Sequence, residues 1–91
     1  MKYRHRATEK FWTSFYRLSS AQKESCRKAW RIFKENPFDP RLRSHKINRL
    51  STRYGRTIYA AAIEGDLRLL FYLEGETVTS LIVGTHDIYE G

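Results

Sequence analysis

Three groups of residues have types and spacings that could do chemistry. The first is Arg41, Arg43, His45, Lys46, Arg49, Arg53 and Arg56, with no acid from Pro40 to Ile63. Six fixed positive charges in sixteen residues, on loop or strand-edge backbone, form a phosphate-binding composition. Tyr54 and Tyr59 interleave with this segment as rings on which bases could stack. The second group is Gly84-Thr85-His86-Asp87-Ile88-Tyr89, where a histidine, a carboxylate and a phenol follow a strand end. The third is Arg68, the only basic residue of the last 35, inside an otherwise apolar strand. Period-two alternation sets Arg68 on one face with Leu70 and Tyr72, opposite Leu67 and Leu69. Each group also has a plainer reading. The bases could be a solvated face, His86 a surface histidine bonded to Asp87, and Tyr89 a ring packed on the sheet edge. Arg68 could form a structural ion pair with Asp66 or Glu64.

The charge distribution favours a polyanion partner. Seventeen Lys and Arg against ten Asp and Glu give +7. Residues 1–56 hold sixteen bases and four acids; residues 57–91 hold one base and six acids. A sign split this strong gives one surface a positive field. A single cysteine, Cys26, excludes an internal disulfide and a multi-cysteine zinc site, and no metal or cofactor is expected. The apolar stretches fall short of the roughly 20 residues of a membrane span, and no secretory signal pattern opens the chain. A cytoplasmic protein is the expectation, with residues 1–91 forming a single domain. The five glycines are spaced like turn markers, not like a nucleotide-binding loop.

The elements that must position these groups follow from periodicity. Lys2 to Arg6 reads as a short strand. Thr8 is an N-cap with Glu9 in the first turn, and Phe11, Phe15 and Leu18 recur with helical spacing. Ser19 and Gln22 have capping-box spacing, and Cys26, Ala29, Trp30 and Phe33 form the next stripe. That second helix should stop near Asn36, before Pro37. So short a link implies an antiparallel helical hairpin, packed on the sheet through Phe11, Phe15, Leu18, Ala29, Trp30 and Phe33. The segment 36–40 is a rigid turn. Thr57–Ile63, Leu67–Leu73 and Thr77–Val83 are strands separated by Glu64-Gly65-Asp66 and Glu74-Gly75-Glu76, an antiparallel meander. The expected fold is α+β, in the order β-α-α-β-β-β, an antiparallel sheet with the helical hairpin on one face.

Four pieces of sequence then stand in a telling order: Asn36-Pro37, His45-Lys46-Ile47, Asp66-Leu67-Arg68-Leu69-Leu70-Phe71, and Val83-Gly84-Thr85-His86-Asp87-Ile88-Tyr89. In this order and spacing the chain resembles the RelE/ParE toxin superfamily of toxin–antitoxin systems, over nearly its whole length. The resemblance implies a toxin neutralised by a cognate antitoxin. Its RelE branch cleaves mRNA in the ribosomal A site, and its ParE branch inhibits DNA gyrase. Arg68 matches the arginine that RelE-like nucleases set against the scissile phosphate. His86 sits where RelE has Arg and YafQ-like relatives have His. His45 matches the histidine of the YafQ-like His-Lys-Leu motif, and Tyr89 resembles the C-terminal aromatic at the cleavage site. Where RelE carries two strand lysines this chain has Tyr59 and Ala61, and a further YafQ-like histidine is replaced by Ala62.

The implied reaction is endoribonucleolytic and needs no metal. A base takes the proton of the ribose 2′-OH, which attacks the adjacent phosphorus; an acid protonates the leaving 5′-oxygen; a cation steadies the phosphorane. Arg68, His86, Tyr89 and His45 are the catalytic candidates. Arg41, Arg43, Lys46, Arg49, Arg53, Arg56 and Tyr59 are the RNA-binding candidates. The competing readings are a ParE-like gyrase inhibitor and a non-catalytic RNA-binding member of the family.

Overall fold

The computed structural model describes residues 3–89, with His86 described through its backbone. Strand β1 (Arg4–Ala7) is followed by helices α1 (Glu9–Tyr16) and α2 (Ser20–Phe33). After a 3₁₀ turn at Pro40–Leu42 come β2 (His45–Lys46), helix α3 (Asn48–Tyr54), β3 (Tyr59–Glu64), β4 (Leu67–Glu74) and β5 (Thr77–Gly84). A last 3₁₀ turn spans His86–Tyr89. The strand order is β1-β5-β4-β3-β2. Gly65 and Gly75 stand at φ +55° and +61°, a left-handed conformation that glycine adopts without a Cβ clash. They form the two hairpin turns that align β3, β4 and β5.

The expected α+β class and the antiparallel meander are present. The start of the expected first strand, Lys2, lies outside the described residues. From Arg4 onward that strand pairs with β5 in parallel, so the sheet is mixed. The helix caps form as the sequence indicates. The Thr8 hydroxyl accepts from Phe11 N at 3.0 Å, and Ser19 and Gln22 make both bonds of a capping box.

Where β1 stops pairing, α1 takes over the edge of β5. Thr8 Oγ1 donates to the Leu81 carbonyl at 2.8 Å, and Val83 N donates to Ser14 Oγ at 3.0 Å. Leu81 is the extra residue of a bulge, since Leu70 pairs with Ile82 and Phe71 with Ser80. Backbone groups that the bulge and the short β1 leave unpaired are thus satisfied by two helix side chains.

Alternation along β4 divides the interior in two. Leu67, Leu69 and Phe71 join Phe33, Leu42, Ala61, Val78 and Val83 beneath α1 and α2. Leu70 joins Leu50, Ile58 and Ala60 on the opposite face. The basic segment, expected on loop or strand-edge backbone, instead forms α3 and covers this second face. Ile47 N donates to Ile58 O at 2.8 Å, and Ser51 Oγ accepts from Ile58 N at 2.8 Å. Leu50 is then buried, and Gly55, at φ +69°, ends the helix. The segment 41–56 folds this way because Ile47 and Leu50 can bury themselves only against β3 and β4.

The helical pair also departs from expectation at Trp30. Its ring is 42% exposed, and it flanks a groove instead of filling the core. α1 rests on β5 and α2 on β3, with a cavity of about 670 Å³ between them. Cys26 lines this groove. Burial, the larger effect, pushes its thiol up to about 11, against an opposing pull from Arg27.

Two outcomes follow. Leu50→Ala should lower the unfolding free energy by about 2–5 kcal/mol, read by urea denaturation; a loss under about 1 kcal/mol would show that α3 does not seal the second face. Cys26 should react with iodoacetamide at pH 8 at least ~10-fold more slowly than an exposed cysteine, because the thiolate is the nucleophile. The rate should keep climbing above pH 9, where an ordinary thiol has levelled off.

Candidate functional site

Arg68 lies on the α3 side of the sheet, paired across the strands with Ala62 and Gly84. It is not under α1 and α2. Its guanidinium Nη1 donates to Gly65 O at 2.7 Å and to Leu67 O at 3.1 Å. The plainer alternative, an ion pair with Glu64 or Asp66, is not found among the described residues: Glu64 Oε1 accepts from Ser25 Oγ at 2.9 Å. Among the described residues no carboxylate neutralises Arg68, so its charge is held only by the carbonyls of its own turn.

The C-terminal turn starts on the same row. Gly84 is the cross-strand neighbour of Arg68, and the backbone of His86 follows two residues on. Tyr89 packs with Ile88 against the cluster of Leu50, Ile58, Ala60 and Leu70. Its carbonyl accepts from Arg49 Nη2 at 3.5 Å. Asp87 Oδ1 accepts from Thr85 Oγ1 at 3.2 Å. The plainer reading of Tyr89, packing on the sheet, is therefore right about its ring, and that packing also sets the turn over the Arg68 face.

His45 shares this face from β2, where it pairs with Ala60. Its Nδ1 lies 3.1 Å from Arg43 O. A carbonyl can only accept, so Nδ1 is the donor in this contact, and Nε2 is the nitrogen that carries the lone pair whenever the ring is neutral. Arg43 supplies that carbonyl from a left-handed conformation, φ +47°, uncommon for a residue with a side chain. Strand spacing and rise separate the Cα atoms of His45 and Arg68 by roughly 12 Å. His45 is also three strands away from the end of β5. The structure therefore groups Arg68 with the His86 backbone and sets His45 at the far side of the same face.

The basic segment divides. Arg41 is held by Asp39 through its backbone N at 2.9 Å and its Nε at 3.0 Å. The side-chain hydrogen bond, the largest cause, draws the Asp39 carboxyl below its ordinary range and raises Arg41. Arg56 reaches Glu74 at 3.3 Å and lies 4.2 Å above the Tyr72 ring. Both ion pairs are at the surface and worth little, so a phosphate could displace them. Arg43, Lys46, Arg49 and Arg53 belong to the same stretch, with Arg49 and Arg53 on α3. Tyr59 does not join them: it stacks on Phe71 at 5.4 Å and meets Phe38 edge-on at 4.9 Å, on the α1–α2 side. Lys46 pairs with Tyr59 and takes that side too.

The sequence reading missed Gly84 as a positioning residue. A Cβ there would lie 2.5 Å from Ile88 Cγ2, so the absent side chain lets Ile88 pack across the strand end and hold the turn that carries His86. The signal was a glycine closing the strand two residues before the histidine; it was taken as a turn marker alone. Gly84→Ala should cost about 1–3 kcal/mol by overpacking, measured by urea denaturation. Combined with Ile88→Ala the loss should be less than the sum of the single losses; strict additivity would remove the contact from the account.

No family model matches the chain, and no curated protein matches its sequence. Solved structures do match its fold. The archaeal RelE–RelB complex from Pyrococcus horikoshii OT3 has a chain that superposes with a TM-score of 0.71 at 16% identity, covering 93% of this chain and 96% of that one. YafQ from E. coli strain BL21(DE3) gives 0.71 at 15% identity, covering 99% of this chain and 100% of its own. The E. coli DinJ–YafQ toxin–antitoxin complex gives 0.72 at 15% identity, over 100% of both chains. The chain therefore has the fold of the RelE and YafQ structures.

Proposed function

We propose that this protein is the toxin of a toxin–antitoxin pair and cleaves mRNA in the ribosomal A site, with a cognate antitoxin as its partner. The observation that carries the reading is Arg68: a cation without an acidic partner among the described residues, beside the strand end that leads into His86. The fold supports it, since its neighbours include a RelE–RelB complex and a DinJ–YafQ toxin–antitoxin complex.

In this reading Arg68 leaves its turn carbonyls for the scissile phosphate and stabilises the phosphorane. His86 transfers the proton, and Tyr89 stacks on or donates to the substrate. His45, with Nε2 as its basic nitrogen, is the candidate base for the 2′-OH. The cations of 41–56 hold the sugar–phosphate backbone without reading sequence. The 2′-OH is the nucleophile, so the products are a 2′,3′-cyclic phosphate and a 5′-hydroxyl, and DNA is spared.

Cleavage of mRNA on programmed ribosomes, read by primer extension, tests this. Arg68→Ala should slow cleavage by about 10²–10³-fold, as loss of comparable electrostatic donors does. His86→Ala should cost about 10²–10⁴-fold. Arg53→Ala should mainly weaken binding and reduce its salt dependence. Full activity in both Arg68→Ala and His86→Ala would end the nuclease assignment at this site. Intact RNA together with inhibited gyrase supercoiling would move the protein to the ParE-like reading.

A further inference from the structure

One residue of the basic segment holds a backbone conformation that its side chain disfavours. Arg43 is the only residue besides glycine with a positive φ among the described residues, at φ +47° and ψ +40°. Glycine takes this left-handed conformation most readily; any other side chain brings its Cβ close to the following carbonyl oxygen. Arg43 stays there because both of its neighbours are fastened. Leu42, before it, is 3% exposed and belongs to the core beneath α1 and α2. Ser44, after it, donates its hydroxyl hydrogen to Pro37 O at 2.6 Å. Arg43 N donates back to Pro40 O at 3.2 Å, closing the 3₁₀ turn that Asp39 caps. Strain that is held in place from both sides clusters at functional sites.

What this turn delivers is a carbonyl. In an extended strand the carbonyl groups lie in the plane of the sheet, at right angles to the side chains. The left-handed step at Arg43 instead brings its carbonyl within 3.1 Å of His45 Nδ1. His45 is exposed and pairs with Ala60, so its ring stands on the α3 face. A free neutral imidazole prefers to carry its single proton on Nε2. The Arg43 carbonyl opposes that preference, because only a proton on Nδ1 can meet it. Nε2, on the far edge of the ring, is then left with the lone pair. Only in this tautomer can Nε2 take the proton of a hydroxyl group.

We infer that the left-handed turn at Arg43 is a positioning device: its carbonyl holds His45 in the Nδ1–H tautomer and keeps Nε2 as the proton acceptor. Arg43 thereby acts twice, through its guanidinium as a cation for phosphate and through its backbone on His45. The tautomer follows from the geometry of the free chain. That Nε2 meets a ribose 2′-OH rests on the proposed cleavage reading.

Substitution separates the two roles. Arg43→Gly and Arg43→Val remove the same charge, but only glycine accepts the left-handed conformation without strain. The readout is the His45 imidazole in ¹⁵N-labelled protein, by long-range ¹H–¹⁵N correlation at about pH 9, where histidine is neutral. His45→Gln assigns its signals among the three histidines. The ring should be mainly Nδ1–H in the parent and in Arg43→Gly. Arg43→Val should move the tautomer ratio toward Nε2–H by roughly 2–10-fold, the effect of one hydrogen bond, with circular dichroism unchanged. Ser44→Ala, which frees the turn from Pro37, should move it in the same direction. A parent ring that is mainly Nε2–H overturns the inference whether or not the variants fold, and so does a ratio that both Arg43→Val and Ser44→Ala leave unchanged. At saturating programmed ribosomes, Arg43→Val should cleave more slowly than Arg43→Gly, by the factor by which its Nδ1–H fraction falls; equal rates would remove the positioning role. An Nδ1–H ring in a chain that cleaves no RNA sinks the nuclease reading and leaves the turn. Cleavage by a chain whose ring is Nε2–H does the reverse.

Discussion

One strand governs the molecule. β4 sits at the centre of the sheet, and its side chains are apolar on both faces: Leu67, Leu69 and Phe71 on one, Leu70 and Tyr72 on the other. A central strand of this kind must be covered twice. α1 and α2 cover the first face. The second is covered by Ile88 and Tyr89 of the C-terminal turn and by the segment between α2 and β3. That segment is the most basic in the protein. Covering β4 through Ile47, Leu50 and Ile58 therefore sets α3, with Arg49 and Arg53, on the face that carries Arg68, while Lys46 takes the other face. The hydrophobic requirement of one strand thereby assembles the electrostatics of the site.

The same strand explains why the two faces differ in completeness. On the α3 side the cover is short and tight: the Ser51 hydroxyl donates to Ile47 O at the start of its own helix and accepts from Ile58 N, just before β3. On the other side two longer helices are fixed to different strands, α1 to the bulged edge of β5 and α2 above β3. Ala61 contributes only a methyl group to the floor between them. The aromatic stack of Phe33, Phe71, Tyr59 and Phe38 fills the α2 end, and the space toward Trp12 and Trp30 stays open.

How much of this the sequence revealed depended on how local the signal was. The caps at Thr8 and Ser19 and the hairpin glycines act within four residues, and each was legible. The parity of Arg68 was legible because alternation needs only one strand. α3 was not, since its only aliphatic residue is Leu50, with Ile47 at its N-cap, both set among bases; their value appears only when β3 and β4 lie beneath them. The face of Tyr59 was hidden for a related reason. Its parity with Ala61 and Ile63 was plain, but which parity faces α1 and α2 is set by pairing with Phe71, and a slip of one residue would invert it. Periodicity also put Trp30 on the apolar face of its helix, yet it cannot say whether a second helix closes over it.

The state of Arg68 bears on whether it is structural or functional. A structural arginine in a sheet is normally fixed by a carboxylate, with which its planar fork forms two parallel bonds. Here two acids flank it in sequence, and neither is its partner: one is bonded to Ser25, and the other sits on the hairpin turn. The guanidinium rests on two carbonyls of the chain immediately before it, contacts that water can replace when the side chain swings away. The helix that covers the same face, α3, is itself basic, with Arg49 and Arg53 in its seven residues, so Arg68 shares its face with charges of its own sign. Such an arrangement adds repulsion to the fold and offers no compensating ion pair at Arg68. Bound only to two carbonyls, the planar fork of Arg68 is not committed to a carboxylate and keeps the geometry that accepts a two-oxygen anion.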